Sequence, residues 1–60
     1  MAWKIGLRKW ADSSKSMGRH EDIEVTINES DEDTAKTNAQ NDAANKLNGI
    51  TPDVISSTDV

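Results

Sequence analysis

The sequence predicts a small α+β domain with the element order β-β-α-β, in which one helix packs on a sheet made of an antiparallel hairpin and a short edge strand. Three observations predict this fold class. Apolar and polar residues alternate over residues 3–8 and again over residues 23–28, which is the period of half-buried strands. Residues 30–49 begin with a serine and three acids, continue with alanines at steps of four and end with a glycine, the pattern of a capped helix.

The first strand is predicted over residues 2–10. A helix there would bring Trp3, Leu7 and Trp10 onto one face. It would also leave Ile5 among charged side chains and place a glycine in the helix interior, at a cost of about 1 kcal/mol. The strand is therefore favoured, with Trp3, Ile5 and Leu7 facing the core and Trp10 on the opposite phase.

Residues 11–20 are predicted to form a loop, because they are rich in serine and show no periodicity. The second strand follows over residues 21–28, where Ile23, Val25 and Ile27 alternate with polar residues. Their β-branched side chains suit a pleated surface. A loop without helical periodicity favours antiparallel pairing of the two strands.

The helix is predicted over residues 31–48. Ser30 is the expected N-cap, Asp33 occupies the capping-box position, and Gly49 is placed for a left-handed residue after the helix. The apolar stripe is narrow, so the helix can lie close against the sheet while burying little area. Its members are Ala35, Ala39, Ala43 and Leu47.

A weak third strand is predicted over residues 53–58, after a turn that contains proline. Its poor alternation and terminal position are typical of a short edge strand that frays. Because it follows a helix, it can pair parallel to its neighbour, and a right-handed crossover is expected. With no internal repeat and no long linker, residues 1–60 are expected to form a single domain.

Charge is divided unevenly along the chain. Residues 1–20 carry five basic residues and one acid, a net of +4, whereas residues 21–60 carry two basic residues and ten carboxylates, a net of −8. Such a division is typical of a basic tail on an acidic body, or of two elements that pair with each other. We expect Lys4 and Arg8 to face Glu24 and neighbouring acids across the hairpin, a pairing worth roughly 0.2–1 kcal/mol.

The residue types give no support to an enzyme or a metalloprotein. There is no cysteine, and the single histidine, His20, stands among charged residues and is expected in the loop, so a zinc site lacks ligands. The serines lie in no nucleophile motif, and three scattered glycines form no phosphate-binding loop. The acids of residues 28–33 do not have the spacing of an EF-hand loop. We expect no catalytic residue, no cofactor and no metal.

Hydropathy predicts an intracellular, cytoplasmic protein without membrane contact. No apolar run follows the first basic residues as it does in a signal peptide. No run approaches the roughly 20 apolar residues that a membrane span requires.

Two binding functions remain. Cations and tryptophans interleaved over residues 3–19 are typical of stacking platforms for nucleic acid, but a net charge of −4 repels phosphates. The few large apolar residues predict marginal stability, which favours a protein partner or self-association. We therefore expect a protein-binding or assembly protein, with a nucleic-acid-binding module as the alternative. Because exposed Trp and Arg are enriched in binding hot spots, the candidate interface residues are Trp10, Arg8, Lys4 and Lys9.

The order "WKIGLRKW", a loop, "DIEVTI" and then "SDEDTA" opening an alanine-spaced helix resembles many small accessory proteins of tailed bacteriophages. The resemblance covers most of the chain. It implies a phage-encoded binding protein or virion-associated protein, located in the host cell or the virion. The resemblance assigns no functional role to any residue of this chain.

Overall fold

A computed structural model describes residues 2–14 and 19–60. Within them the elements are β1 (Trp3–Trp10), β2 (His20–Ile27), α1 (Glu32–Asn41), a 3₁₀ helix (Ala43–Asn45) and β3 (Asp53–Asp59). The helix packs on one face of a three-stranded sheet, so the predicted β-β-α-β fold class is confirmed. The predicted loop 11–20 lies partly outside the described residues, and His20 belongs to β2 rather than to a loop.

The strand order is β2-β1-β3, and β1 pairs antiparallel with both neighbours. The parallel pairing that the sequence left open for the last strand does not occur. The connection through α1 crosses over β1, so β3 runs in the direction of β2 but never pairs with it. The physical reason lies in β1, whose Ile5 and Leu7 are fully buried, because a strand paired on both sides shields its side chains best.

Two hydrogen bonds show which peptide groups of β1 face each neighbour. The Ala11 amide donates to the Arg19 carbonyl over 2.9 Å, and the Val60 amide donates to the Ala2 carbonyl over 3.0 Å. Hydrogen-bonded and non-hydrogen-bonded pairs alternate along an antiparallel ladder. The odd-numbered residues of β1 therefore bond to β2, and its even-numbered residues bond to β3. It follows that the peptide groups of even-numbered β2 residues point outward, away from the sheet.

The core lies between β1 and α1. It consists of Ile5, Leu7, Ala35 and Ala39, which have no exposed surface. Partly buried side chains pack around it: Trp3, Ile23, Val25, Ile27 and Val54. The alternation predicted for the first two strands thus places their apolar residues on the face that the helix covers.

The start of α1 corrects the predicted cap. Asp31, not Ser30, is the N-cap, and its carboxylate accepts hydrogen bonds from the Thr34 amide at 2.9 Å and the Thr34 hydroxyl at 2.8 Å. These two bonds lower the pKa of Asp31. The capping box with Asp33 is therefore wrong, since the cap lies one residue further on. The Ser30 carbonyl instead accepts the Trp3 indole N–H over 3.2 Å.

The first turn of α1 is tied to β3. Glu32 accepts a hydrogen bond from the Ser57 hydroxyl and pairs with Lys36 one turn along, with 3.4 Å between Oε2 and Nζ. The bond from Ser57 and the charge of Lys36 lower the pKa of Glu32, although burial opposes them. This link holds the helix over the sheet at the edge opposite β2.

The helix ends at Asn41, seven residues before the predicted end. Asp42 has extended backbone angles, and its carboxylate accepts the Ala44 amide at 3.0 Å. Aspartate side chains compete in this way with the next helical hydrogen bond. The predicted boundary is wrong because a local side-chain bond outweighs the favourable spacing of the alanines.

The shorter helix also shortens the predicted apolar stripe. Ala35 and Ala39 are buried, but Ala43 is exposed. Asn45 is buried, and its Nδ2 donates to the Ala39 carbonyl over 3.1 Å. The side-chain amide thus satisfies one of the carbonyls that a helix end leaves without a partner.

Gly49 belongs to a tight turn, not to a helix terminus as predicted. Leu47 and Ile50 form an isolated antiparallel bridge, and the Ile50 amide donates to the Leu47 carbonyl over 3.0 Å. The two residues between them, Asn48 and Gly49, have φ values of 55° and 76°. Positive φ at both positions and the pair Asn-Gly are typical of a type I′ turn.

A bulge interrupts the pairing of β1 with β3. Gly6 lies opposite Ser56 and Leu7 lies opposite Val54, so Ile55 is an extra residue on β3. A Cβ atom on Gly6 would clash with Ser56 Oγ. The absence of a side chain at position 6 thus leaves room for the Ser56 hydroxyl at the bulge.

Candidate protein-interaction surface

The two faces of the sheet have different surroundings. The helix α1 covers one face, and no helix or strand of the described residues covers the other, which we call the open face. The open face is formed by Lys4, Gly6, Arg8 and Trp10 of β1, by His20, Asp22, Glu24 and Thr26 of β2, and by Asp53, Ile55, Ser56 and Thr58 of β3. It therefore carries the second tryptophan and most of the charged side chains of the first hairpin.

Trp10 is half-buried at one end of the open face and is held by three neighbours. Its indole N–H donates to Asp53 Oδ2 over 3.0 Å. Its ring centroid lies 5.0 Å from that of His20 at an interplanar angle of 52°, and Arg8 Cζ lies 5.8 Å from the ring centroid. Trp10 and His20 are a non-hydrogen-bonded pair, the type in which side chains approach closest. The ring is fixed in position before any partner binds.

Arg8 lies between two carboxylates. Its Nε donates to Asp22 Oδ1 over 2.9 Å and its Nη2 donates to Asp22 Oδ2 over 3.1 Å. These bonds raise the pKa of Arg8 and lower the pKa of Asp22, while burial opposes both shifts. Asp53 lies opposite Arg8 on β3. The partner of Arg8 is thus Asp22 and not Glu24, because the register places Glu24 opposite Gly6.

Lys4 and Glu24 are the charges of the open face that the structure leaves without a partner among the described residues. Lys4 is exposed and lies between Thr26 and Thr58. Glu24 is exposed and lies opposite Gly6, which has no side chain to meet it. A charged group on a binding partner therefore finds an unpaired counter-charge at either position.

Lys9 is separated from the other candidate interface residues. It belongs to the odd-numbered phase of β1, and its Nζ lies 3.5 Å from the Ala44 carbonyl beyond the end of α1. Cations are favoured near the carbonyl end of a helix. The structure thus brings Trp10 and Arg8 together, places Lys4 further along the same face and puts Lys9 on the other face.

Three residues that contact Trp10 or Arg8 were absent from the predicted interface. They are His20, Asp22 and Asp53. The alternation of β2 could have identified Asp22, because it places Asp22 on the open face, where it can pair with an open-face residue of β1. Asp53 has no such signal, because its contact with Trp10 spans 43 residues of sequence and depends on the bulge in β3.

The described residues contain no enclosed pocket and no cluster of three or more His, Cys, Asp or Glu side chains placed to hold a metal ion. Among the same residues, no helix has the length and apolar character required to cross a membrane. What the open face offers is a surface of mostly polar and charged groups, with one fixed indole ring at its end and Ile55 exposed on β3. Such a surface can bind another macromolecule through its side chains.

No protein-family model matches the chain, and comparisons with curated proteins and with solved structures find no match either. The resemblance to small accessory proteins of tailed bacteriophages therefore stays a prediction.

Proposed function

We propose that this chain is a non-enzymatic protein-binding domain that acts in a larger assembly through the open face of its sheet. The observation that carries the proposal is the position of Trp10, a half-buried ring held by Asp53, His20 and Arg8 on a face that no described helix covers. Trp and Arg dominate binding hot spots. A side chain fixed before binding loses less conformational entropy when the partner arrives.

The small core gives further support. Among the large aliphatic side chains of the described residues, only Ile5 and Leu7 are fully buried, and chains of this length bury only about 60% of their unfolded surface. Apolar area buried against a partner adds directly to the stability of such a domain. The resemblance to phage accessory proteins directs the search for that partner to the virion of a tailed phage and to its host cytoplasm.

Charge placement counts against the alternative, a nucleic-acid-binding module. Arg8 is engaged by Asp22, and Lys9 lies on the other face of β1. This leaves Lys4 as the unpaired cation of the open face within the described residues, on a chain with a net charge of −4. A module that tracks phosphates requires several cations on one surface. Binding to a generic oligonucleotide that falls steeply with added salt would favour the alternative.

Site-specific photo-crosslinking tests the proposal. A photoreactive residue at Thr58, on the open face, is expected to capture a partner protein in extracts of phage-infected cells, and the same residue at Thr37 is the control. Thr37 is also exposed but lies on α1. Sedimentation over a concentration range shows in parallel whether the captured partner is a second copy of the chain.

The variant Trp10→Ala is expected to abolish capture from Thr58, whereas Trp10→Phe keeps an aromatic ring and retains part of it. Far-UV circular dichroism of both variants establishes that they are folded. Equal capture from Thr58 and Thr37, or capture from Thr58 that persists in folded Trp10→Ala, would contradict the proposal.

A further inference from the structure

We infer that the outer edge of β2 is a docking strand for an extended segment of a partner protein in which basic and apolar side chains alternate. This inference rests on the protein-binding function proposed above and names the chemistry of the partner. The outer edge of β2 is defined by the outward peptide groups of His20, Asp22, Glu24 and Thr26. Addition of a strand to such an edge is a common mode of peptide recognition.

The two edges of the sheet are protected against unwanted pairing in different ways. Edge strands avoid unwanted pairing by bulges, by prolines and by charged side chains. The edge formed by β3 contains the bulge at Ile55. The strand β2 pairs with β1 over eight consecutive residues without a register shift and contains no proline. The outer edge of β2 is therefore the regular one.

The helix-covered side of β2 offers apolar contacts to an added strand. Ile23, Val25 and Ile27 are only half-buried, and α1 packs most extensively on β1. An added strand places every second side chain on this side of the sheet, next to the same three residues. Apolar side chains at those positions would complete the burial of the β2 row.

The open-face side of β2 offers negative charge. Glu24 makes no hydrogen bond or ion pair with the described residues, and its neighbour across β1 is a glycine. Asp22, two residues away on the same face, is already held by Arg8. The side chain of an added strand that lies beside Glu24 therefore meets an unpaired carboxylate, which favours lysine or arginine there.

The strand β1 shows that β2 accepts this pattern. On its inner edge β2 pairs with a strand in which Ile5 and Leu7 face the helix while Lys4 and Arg8 lie on the open face. The side chains of β2 project above and below the sheet and are reached from either edge of the strand. A strand added at the outer edge therefore meets the same alternation of apolar and acidic side chains that β1 meets at the inner edge. Charge complementarity with basic side chains therefore applies on both edges.

A second copy of β2 fits the charge of the outer edge less well than a basic strand does. In the antiparallel register that sets Val25 opposite Val25 and aligns all three apolar residues, Glu24 of each copy would lie opposite Thr26 of the other. In the register that sets Ile23 opposite Ile23, Glu24 would lie opposite Asp22, and like charges directly opposite one another destabilise a sheet. Neither register gives Glu24 the positive side chain that a basic strand supplies.

Three synthetic hexapeptides test the inference on the full-length, ¹⁵N-labelled chain. The first alternates lysine with isoleucine, the second alternates glutamate with isoleucine, and the third has the composition of the first with the three lysines grouped together. We expect the first peptide to bind at least about fivefold more tightly than either control. Its binding should slow amide exchange at Asp22, Glu24 and Thr26 and leave the amides of Ile23 and Val25, already bonded to β1, unchanged.

Two substitutions at Glu24 separate the contribution of its side-chain charge to peptide binding from that of its backbone N–H. Glu24→Gln is expected to weaken binding of the first peptide severalfold, and Glu24→Pro, which removes an outward N–H, to abolish it. Asp33→Asn makes the same change of charge on α1 and is expected to have no effect. If Glu24→Pro does not fold, methylating the peptide nitrogens that face β2 provides the equivalent test from the other side.

Equal affinity for the grouped peptide, or exchange protection outside β2, would overturn the inference. So would full binding to Glu24→Gln. The crosslinking experiment fails independently of this one, because it depends on Trp10 and the open face. Capture at Thr58 without peptide binding would exclude the docking strand and leave the proposed function intact. Peptide binding without capture would exclude the open face as the partner surface and leave binding of an extended segment at the edge of β2.

Discussion

The two faces of β1 perform different tasks with side chains taken alternately from one strand. The covered face holds Ile5 and Leu7, which have no exposed surface and pack against the alanines of α1. The open face holds Arg8 and Trp10, which are half-buried and held by carboxylates and an imidazole. The covered face stabilises the fold by apolar burial, and the open face presents an ordered polar surface. Substitutions on the two faces should therefore affect different measurements.

The largest effect is expected from Leu7→Ala. Truncating a fully buried leucine typically lowers the free energy of unfolding by about 2–5 kcal/mol, a large share of the roughly 5–15 kcal/mol available to a natural domain. Urea unfolding followed by far-UV circular dichroism measures it. The control is Thr58→Ala on the open face, which is expected to change stability by less than about 0.5 kcal/mol. Similar losses in the two variants would remove the distinction between the faces.

A smaller loss is expected from Asn45→Ala. The substitution leaves the Ala39 carbonyl without the side-chain donor that satisfies it, and a buried group left unpaired costs about 1–3 kcal/mol. Chemical denaturation is again the measurement. Asn38→Ala, at an exposed helix position, is the control and should leave stability unchanged or slightly raise it. A stable Asn45→Ala variant would show that α1 does not depend on this terminal bond.

The bulge between β1 and β3 predicts a coupled pair of substitutions. Gly6→Ala alone is expected to destabilise the sheet by about 1 kcal/mol, because the new Cβ forces the Ser56 hydroxyl away. In a Ser56→Ala background the closest remaining atoms are Ile55 Cγ1 at 3.4 Å and Ser56 Cβ at 3.5 Å, so the same substitution should be neutral or stabilising. A double-mutant cycle without coupling between the two positions would show that the Ser56 hydroxyl does not occupy the space beside Gly6.

The smallest effect is expected from pH. Hydrogen bonds lower the pKa values of Asp22, Asp31 and Glu32 in the folded chain, so each carboxylate stabilises the fold above its unfolded pKa of about 4. That stabilisation is lost as the pH falls through the folded values. The melting temperature should therefore decrease below about pH 4, and by less in Asp22→Asn. Added salt should reduce the contribution of exposed pairs. A melting temperature that is constant or higher at pH 3 would contradict these shifts.

Much of the sheet can be predicted from sequence because its signals are local. The alternation around Ile5 and Ile23 distinguishes the helix-covered side from the open face without any knowledge of the partner strands. The same alternation places Trp10 on the phase of Arg8, where the register puts it. A single unbroken period of two is enough for these conclusions.

Two kinds of feature cannot be predicted from these local sequence patterns. The end of α1 depends on competition between the next helical hydrogen bond and the side chains of Asp42 and Asn45, and the spacing of the alanines does not report that competition. The antiparallel pairing of β3 and the bond from Trp10 to Asp53 depend on register between segments far apart in sequence. The Asn48-Gly49 turn is the one missed element whose local signal is strong.

Native-state amide hydrogen exchange along β2 tests most directly the central claim, that this strand presents a free outer edge beside the open face. The amides of Asp22, Glu24 and Thr26 point outward and should exchange rapidly, while those of Ile23 and Val25 bond to β1 and should be protected. Protection of both sets to the same degree, or the opposite alternation, would contradict the claim.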